Sequence, residues 1–207
     1  MNDAAPLPAA ASAVLQFWLG DGLEKGWPSQ DLGGLWFGGD AALDERMRQR
    51  FGTLVQQAQA GDLVDWETQP LTRLALVLLL DQFSRNVYRG QPQAFAGDAR
   101  AQRLVVEALD RQADMPLPWV GRLFMRMPLM HAEDLALQER CVQCFTDLVN
   151  QAPPALKSTF EDNLKYAHQH QGIVARFGRF PHRNAVLGRT CTPQELDYLQ
   201  HGPRFGQ

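Results

Sequence analysis

The chain has 207 residues, 45% hydrophobic and 21% charged, with a formal net charge of −3. That balance fits an ordinary globular domain. The slight acidity argues against general nucleic-acid binding, which draws on a broad basic surface. The longest apolar run, Leu74 to Leu80, is far short of the roughly 20 residues that span a bilayer. Cys141, Cys144 and Cys191 form the sparse, odd set of a reducing compartment. A soluble cytoplasmic protein is expected, with neither membrane nor nucleic acid as partner.

Apolar residues recur at 3.6-residue spacing and period-2 alternation is scarce, so the expected fold class is all-α, one domain over residues 1–207. Residues 1–11, rich in Ala and Pro, lack the basic start and long apolar core of a secretion signal and are expected to form a disordered tail. Ser12 is placed to cap a first helix carrying Val14, Leu15, Trp18 and Leu19, stopped by Gly20. Residues 20–40 read as a long loop pinned by Trp27, Trp36 and Phe37. Asp40 caps a helix with a stripe of Leu43, Met47, Phe51, Leu54, Val55 and Ala58, ending at Gly61. Pro70 suits the first turn of a third helix reaching about Tyr88.

A fourth helix runs from about Asp98 to Arg111. Pro116, Pro118 and Pro128 bracket a short one with Trp119, Leu123 and Phe124. A sixth, from about Ala132 to Asn150, places Cys141 and Cys144 on its apolar face, where two core cysteines are expected rather than a redox pair. Pro153-Pro154 opens a seventh, and Thr192-Pro-Gln-Glu195 is a capping box opening the last. Short connectors between consecutive helices point to antiparallel hairpins.

Three polar clusters carry the candidate chemistry. In the first, the stripe Leu71, Leu74, Leu78 continues into Gln82, Arg85 and Arg89. Asp81–Arg85 and Gln82–Asn86 are each four apart, so each pair can meet on the helix surface. The cluster reads either as a salt-bridge network or as the wall of a pocket. In the second, His131 precedes Glu133, Asp134 and Gln138 at a helix start. There His131 can serve as a base oriented by a carboxylate, or the acids can complement the helix dipole while His131 caps it.

The third lies between Tyr166 and Arg189, which contains four arginines and three histidines, with no Asp or Glu from Asn163 to Gln194. Gly178 and Pro181 break the helix there and set Arg179, His182, Arg183 and Asn184 on a constrained turn. Arginine forks match carboxylate or phosphate, and Asn184 can hold a substrate or fix the turn. The bland reading pairs these arginines with Asp81, Asp98, Glu133 or Asp134. His168 and His170, two apart on a helix, point in different directions, so no metal site is expected. No Walker loop, dinucleotide fingerprint or nucleophile elbow is present, and no cofactor is expected.

At these residues the chain resembles the bacterial family called "domain of unknown function 924". The matching segments are Trp36-Phe-Gly-Gly-Asp40, Leu79-Leu-Asp-Gln-Phe-Ser-Arg-Asn86-Val-Tyr-Arg-Gly90, Ala94-Phe-Ala-Gly-Asp98, Pro128-Leu-Met-His-Ala-Glu-Asp134, Gln138-Glu-Arg140 and Arg176-Phe-Gly-Arg-Phe-Pro-His-Arg-Asn184. The likeness extends from about Val14 to Phe205. One departure is Ser84, where the family usually has proline, which bears on helix geometry at that turn. The resemblance implies a tetratricopeptide-repeat-like fold, antiparallel helix pairs stacked into an array, and no established activity.

Two functions follow from the residues. In the first, the three clusters converge in one recess that binds a small anionic molecule and hydrolyses or isomerises it. Asp81, His131, Asp134 and His182 would be catalytic, and Gln82, Arg85, Asn86, Arg89, Gln138, Arg179, Arg183 and Asn184 would hold the ligand. In the second, a scaffold receives an acidic peptide in a helical groove.

Overall fold

The structure, a computed structural model, describes residues 6–203, among which every regular element is helical. No helix among them is long and apolar enough to cross a membrane. The chain divides into two compact units, Met1–Tyr88 with Gln93–Met125, and Arg89–Pro92 with Arg126–Gln207.

In the first unit, α1 (Ala9–Leu19) buries Ala11, Val14, Leu15, Trp18 and Leu19. It begins before Ser12, behind Pro8 and without a side-chain cap, because Ala9, Ala10 and Ala11 are strong helix formers. Residues 9–11 of the expected disordered tail are thus helical, and residues 1–5 of it lie outside the described residues. The segment expected as a loop holds two short helices, α2 (Gly22–Lys25) and α3 (Gly33–Phe37). Trp36 is its anchor: Nε1 donates to the Trp18 carbonyl at 2.8 Å and the ring packs 4.9 Å from Phe124. Phe37 is 61% exposed and pins nothing inside.

Helix α4 (Ala41–Ala60) starts and stops where expected, capped by Asp40 and ended by Gly61 in the left-handed region at φ 91°. Helix α5 (Pro70–Val77) does not run on as plain α-helix. Leu78–Phe83 is a π-helical turn, after which α6 (Ser84–Val87) resumes. The backbone N–H of Ser84 reaches back five residues to Leu79, and its hydroxyl, fully buried, donates to the Leu80 carbonyl at 2.6 Å. Ser84 is therefore the residue that closes the widened turn.

Helix α7 (Asp98–Asp110) packs on α5 and on the π-turn. Gly97 makes that possible, since a Cβ there would lie 2.6 Å from the Leu80 carbonyl oxygen. Helix α8 (Trp119–Met130) was expected to stop at Pro128 but runs through it. Phe124, Met125, Leu129 and Met130 on this helix are buried, and that packing outweighs the one backbone bond a proline removes. The core of this unit is aromatic: Phe83 lies 5.3 Å from Trp18 and 5.0 Å from Phe51, and Trp18 lies 5.8 Å from Phe124.

In the second unit, α9 (Leu135–Gln151) packs along α10 (Pro154–Phe177). Pro154 occupies the first turn of α10, and Gly178 at φ 69° ends it. A 3-10 turn, Pro181–Arg183, leads to α11 (Pro193–His201), which opens with the expected Thr192–Glu195 capping box. Cys141 is buried as expected, and burial pushes its thiol pKa up; Cys144 is only half-buried.

Candidate functional site

The π-turn sets Asp81, Gln82 and Phe83 in the core of the first unit, with Asp81 only 1% exposed. Its carboxylate meets the Arg85 guanidinium at 3.1 Å, the i, i+4 contact that the spacing predicted, and Arg85 also meets Asp98 at 3.1 Å. Burial works against the Arg85 charge, but the two carboxylates outweigh it and its pKa is raised. Gln82 Nε2 donates to Asp81 Oδ2 at 2.6 Å, while Asn86 Nδ2 donates to Asp44 Oδ1 at 2.8 Å. The expected Gln82–Asn86 pairing gives way to these neighbours, since charged acceptors, Asp81 for Gln82 and Asp44 for Asn86, make stronger bonds than one amide makes to another. This cluster is an interlocked network joining the π-turn to the start of α7.

The second unit holds the other candidates. Arg89, half-buried, opens its short first segment. His131 follows α8, and the link to α9 is folded by Gln138, fully buried, whose Nε2 donates to the carbonyls of Met130 at 2.7 Å and Ala132 at 2.8 Å. Asp134, exposed, caps α9 by accepting from Leu137 N at 2.9 Å. The cap is Asp134 and not His131. The neighbouring Glu133 turns the other way, to the basic segment, where it accepts from the Phe180 backbone at 2.8 Å and from Arg189 at 2.6 and 2.8 Å.

Two expected ligand residues are engaged within that segment. Arg179 grips Glu195 through two bonds of 2.7 and 2.8 Å and donates to the Thr190 carbonyl. Hydrogen bonding from Arg179 holds the Glu195 pKa down at about 2. Asn184, fully buried, donates to Cys191 Sγ at 3.3 Å.

Around Phe180, fully buried, the remaining polar groups gather. His182 stacks on its ring with centroids 5.5 Å apart, His170 meets it edge-on at 5.6 Å, and the guanidinium of Arg183 lies 4.6 Å from its centre. His131 lies 6.3 Å from His170, ring to ring. Arg183 is 4% exposed and His170 5%. Nδ1 of His170 donates to the Tyr166 carbonyl at 2.8 Å, which fixes the tautomer of the neutral ring.

Electrostatics follow from that crowding. Burial first, then His131 and Arg183, push the His170 pKa down to about 3. Burial and the Arg183 charge push His182 to about 4, with Glu133 resisting. Both imidazoles are therefore neutral at pH 7. Burial works to raise the Glu133 pKa, but Arg189, the Phe180 N–H and Arg183 win and lower it.

The structure thus brings His131, His182 and Arg183 together as expected candidates, and adds Phe180, His170, Glu133 and Arg189. Glu133 was legible as a helix-start acid and Arg189 as part of a basic run, but no spacing rule joins residues 56 apart. Among the described residues no three His, Cys, Asp or Glu side chains are grouped to hold a metal ion.

Residues 14–203 match the family model described as a bacterial protein of unknown function, DUF924. The chain is also similar to the solved structure of a protein of unknown function, ATU0120, from Agrobacterium tumefaciens. The two share 36% identity with a TM-score of 0.74, over 94% of this chain and 98% of that one. No curated protein matches. On the family match and that likeness together, this chain belongs to the DUF924 family of bacterial proteins.

Proposed function

We propose that the cluster around Phe180 binds a small anionic molecule in the cytoplasm, with Arg183 as its charge partner and His131 and His182 as donors. The supporting observation is the gathering of Arg183, His131, His170 and His182 around the buried Phe180 ring, with Glu133 nearby. The Arg183 charge, which adds to burial in keeping the two rings neutral, favours an anion at the same place. An anion beside His182 would offset Arg183 and lift the imidazole pKa from about 4 toward the range where a base works near neutrality. Hydrolysis or isomerisation of the bound compound, with His131 and His182 moving protons, is the enzymatic form of this reading. Arg179, Asn184, Asp134 and Gln138 act in it by holding the surrounding turns, through the bonds described above.

The acidic-peptide scaffold is the weaker reading, because Arg179 and Arg189 are matched to Glu195 and Glu133 and so withdrawn from a clamp. The tetratricopeptide-repeat-like array belongs to this proposal as well. Helices α9 and α10, separated by Ala152 and Pro153, would be one antiparallel hairpin of it. We further read the two compact units as one folding domain, since α8 is continuous across the boundary at Met125; two separate thermal transitions would contradict that.

The test is titration with inorganic phosphate and with small dicarboxylates, followed by calorimetry and by melting temperature. Wild type and Arg179→Gln should be stabilised by ligand, while Arg183→Gln and His182→Asn should lose the gain. Equal ligand response in wild type and both of the latter variants, or no response in wild type, overturns the reading.

A further inference from the structure

A second site stands on α10 and α11, on residues separate from those of the histidine cluster and independent of the function proposed for it. An open cleft of about 620 Å³ has Gln169, Gly172, Arg176, Phe177, Tyr198 and His201 in its lining. That volume is within the range of small-molecule sites. We propose that this cleft binds a planar aromatic molecule carrying a carboxylate, its ring against Phe177 and Tyr198 and its acid group on Arg176.

Gly172 is the first support. It sits inside the 24-residue helix α10, where glycine is the poorest helix former after proline. Among the described residues nothing lies within 4 Å of where its Cβ would be. The described packing therefore does not require a glycine there; what the missing side chain leaves is room along the cleft lining.

The walls give the ligand its chemistry. Phe177 and Tyr198 are tilted at 57° with centroids 5.1 Å apart, both half-buried, so each keeps ring surface accessible. Tyr198 is held in place: its hydroxyl donates to the Pro203 carbonyl at 3.2 Å, and Gly202 lies so close that a Cβ would come 2.4 Å from the ring. A fixed aromatic wall favours stacking with a flat partner. The Arg176 guanidinium, on the exposed side, lies 4.7 Å from the Phe177 ring centre, so a bound acid would meet it beside the stacked ring. Among the described residues no Asp or Glu lines the cleft, His201 adds an imidazole, and Gln169 adds an amide donor. Together these select negative charge attached to an aromatic body.

Two probes present this chemistry, phenylacetate as a free acid and an acetylated tripeptide ending in phenylalanine as the end of a chain. Binding to the full chain is followed by calorimetry and by the backbone amide signals of Gly172 and Arg176. Saturable shifts at those amides with either probe are expected, and the tighter of the two identifies the source of the ligand. Phenylacetamide, which lacks the charge, and cyclohexylacetate, which lacks the flat ring, should each bind at least about tenfold more weakly than phenylacetate. Arg176→Gln should weaken phenylacetate by a similar factor. Gly172→Ala should raise the melting temperature while weakening the ligand, a combination that a purely structural glycine would not produce. The proposal is overturned if neither probe shifts those amides, if phenylacetamide binds as well as phenylacetate, or if Gly172→Ala leaves affinity intact.

Discussion

Glu133 and Arg189 face each other through two parallel bonds, 2.6 Å and 2.8 Å, with each side chain about one-quarter exposed. The same carboxylate accepts the Phe180 N–H, so one side chain fixes both ends of the turn that carries His182 and Arg183. Glu133→Ala would strip a half-buried guanidinium and a backbone donor of their acceptor together. A loss of about 2 kcal/mol is expected, read as a lower urea midpoint. Glu133→Gln, which keeps one acceptor, should lose less. Arg189→Ala combined with Glu133→Ala should cost clearly less than the sum of the two, because the pair acts as a unit.

Gly97 offers a sharper test of the fold. A methyl group there would meet the Leu80 carbonyl oxygen at 2.6 Å and the Leu80 Cα at 3.0 Å. Both are backbone atoms of the π-turn and cannot swing aside. Gly97→Ala should therefore push α7 off that turn and destabilise by about 3 kcal/mol, with loosening of the Arg85–Asp98 contact. Gly34→Ala, where nothing among the described residues lies within 4 Å, is the matched control and should stay within about 0.5 kcal/mol of wild type.

The neutral histidines make stability depend on pH, and the sign is fixed by their direction of shift. His170 at about 3 and His182 at about 4 lie below the ordinary 6.5. Between those values the unfolded chain binds more protons than the native one, so stability rises with pH through the window. The contribution is fully present above 6.5 and is lost on acidification toward 4. Each ring should cost about 1 kcal/mol per pH unit within the window. Urea denaturation across it should show the slope, and His182→Asn should flatten it. Saturating phosphate should flatten it too if the anion sits beside these rings; a slope indifferent to phosphate would count against the binding site.

The helices that local chemistry punctuates were legible before any coordinates. Asp40 and Gly61 bound α4, Pro154 and Gly178 bound α10, and Thr192 with Glu195 opens α11. Each of these signals acts within one turn of backbone, so a linear reading contains it. The exceptions arose where burial overruled the local signal. Helix α8 continues through Pro128 because its neighbours in the helix are packed, and Leu78–Phe83 adopts a π-turn because Ser84 and Gly97 close and accommodate it.

The candidate site divides along the same line. Sequence alone determined that the chain is helical and that Tyr166 to Arg189 concentrates arginine and histidine without acid. Which neighbours each of those groups meets was a matter of three-dimensional pairing. Arg179 is engaged by Glu195 and Arg189 by Glu133, while Arg183 is drawn onto the Phe180 ring among three imidazoles. Capping and periodicity depend on neighbours a few residues away, and the sequence displays them. Charge pairing and desolvation depend on groups tens of residues distant, and only folding brings those into range.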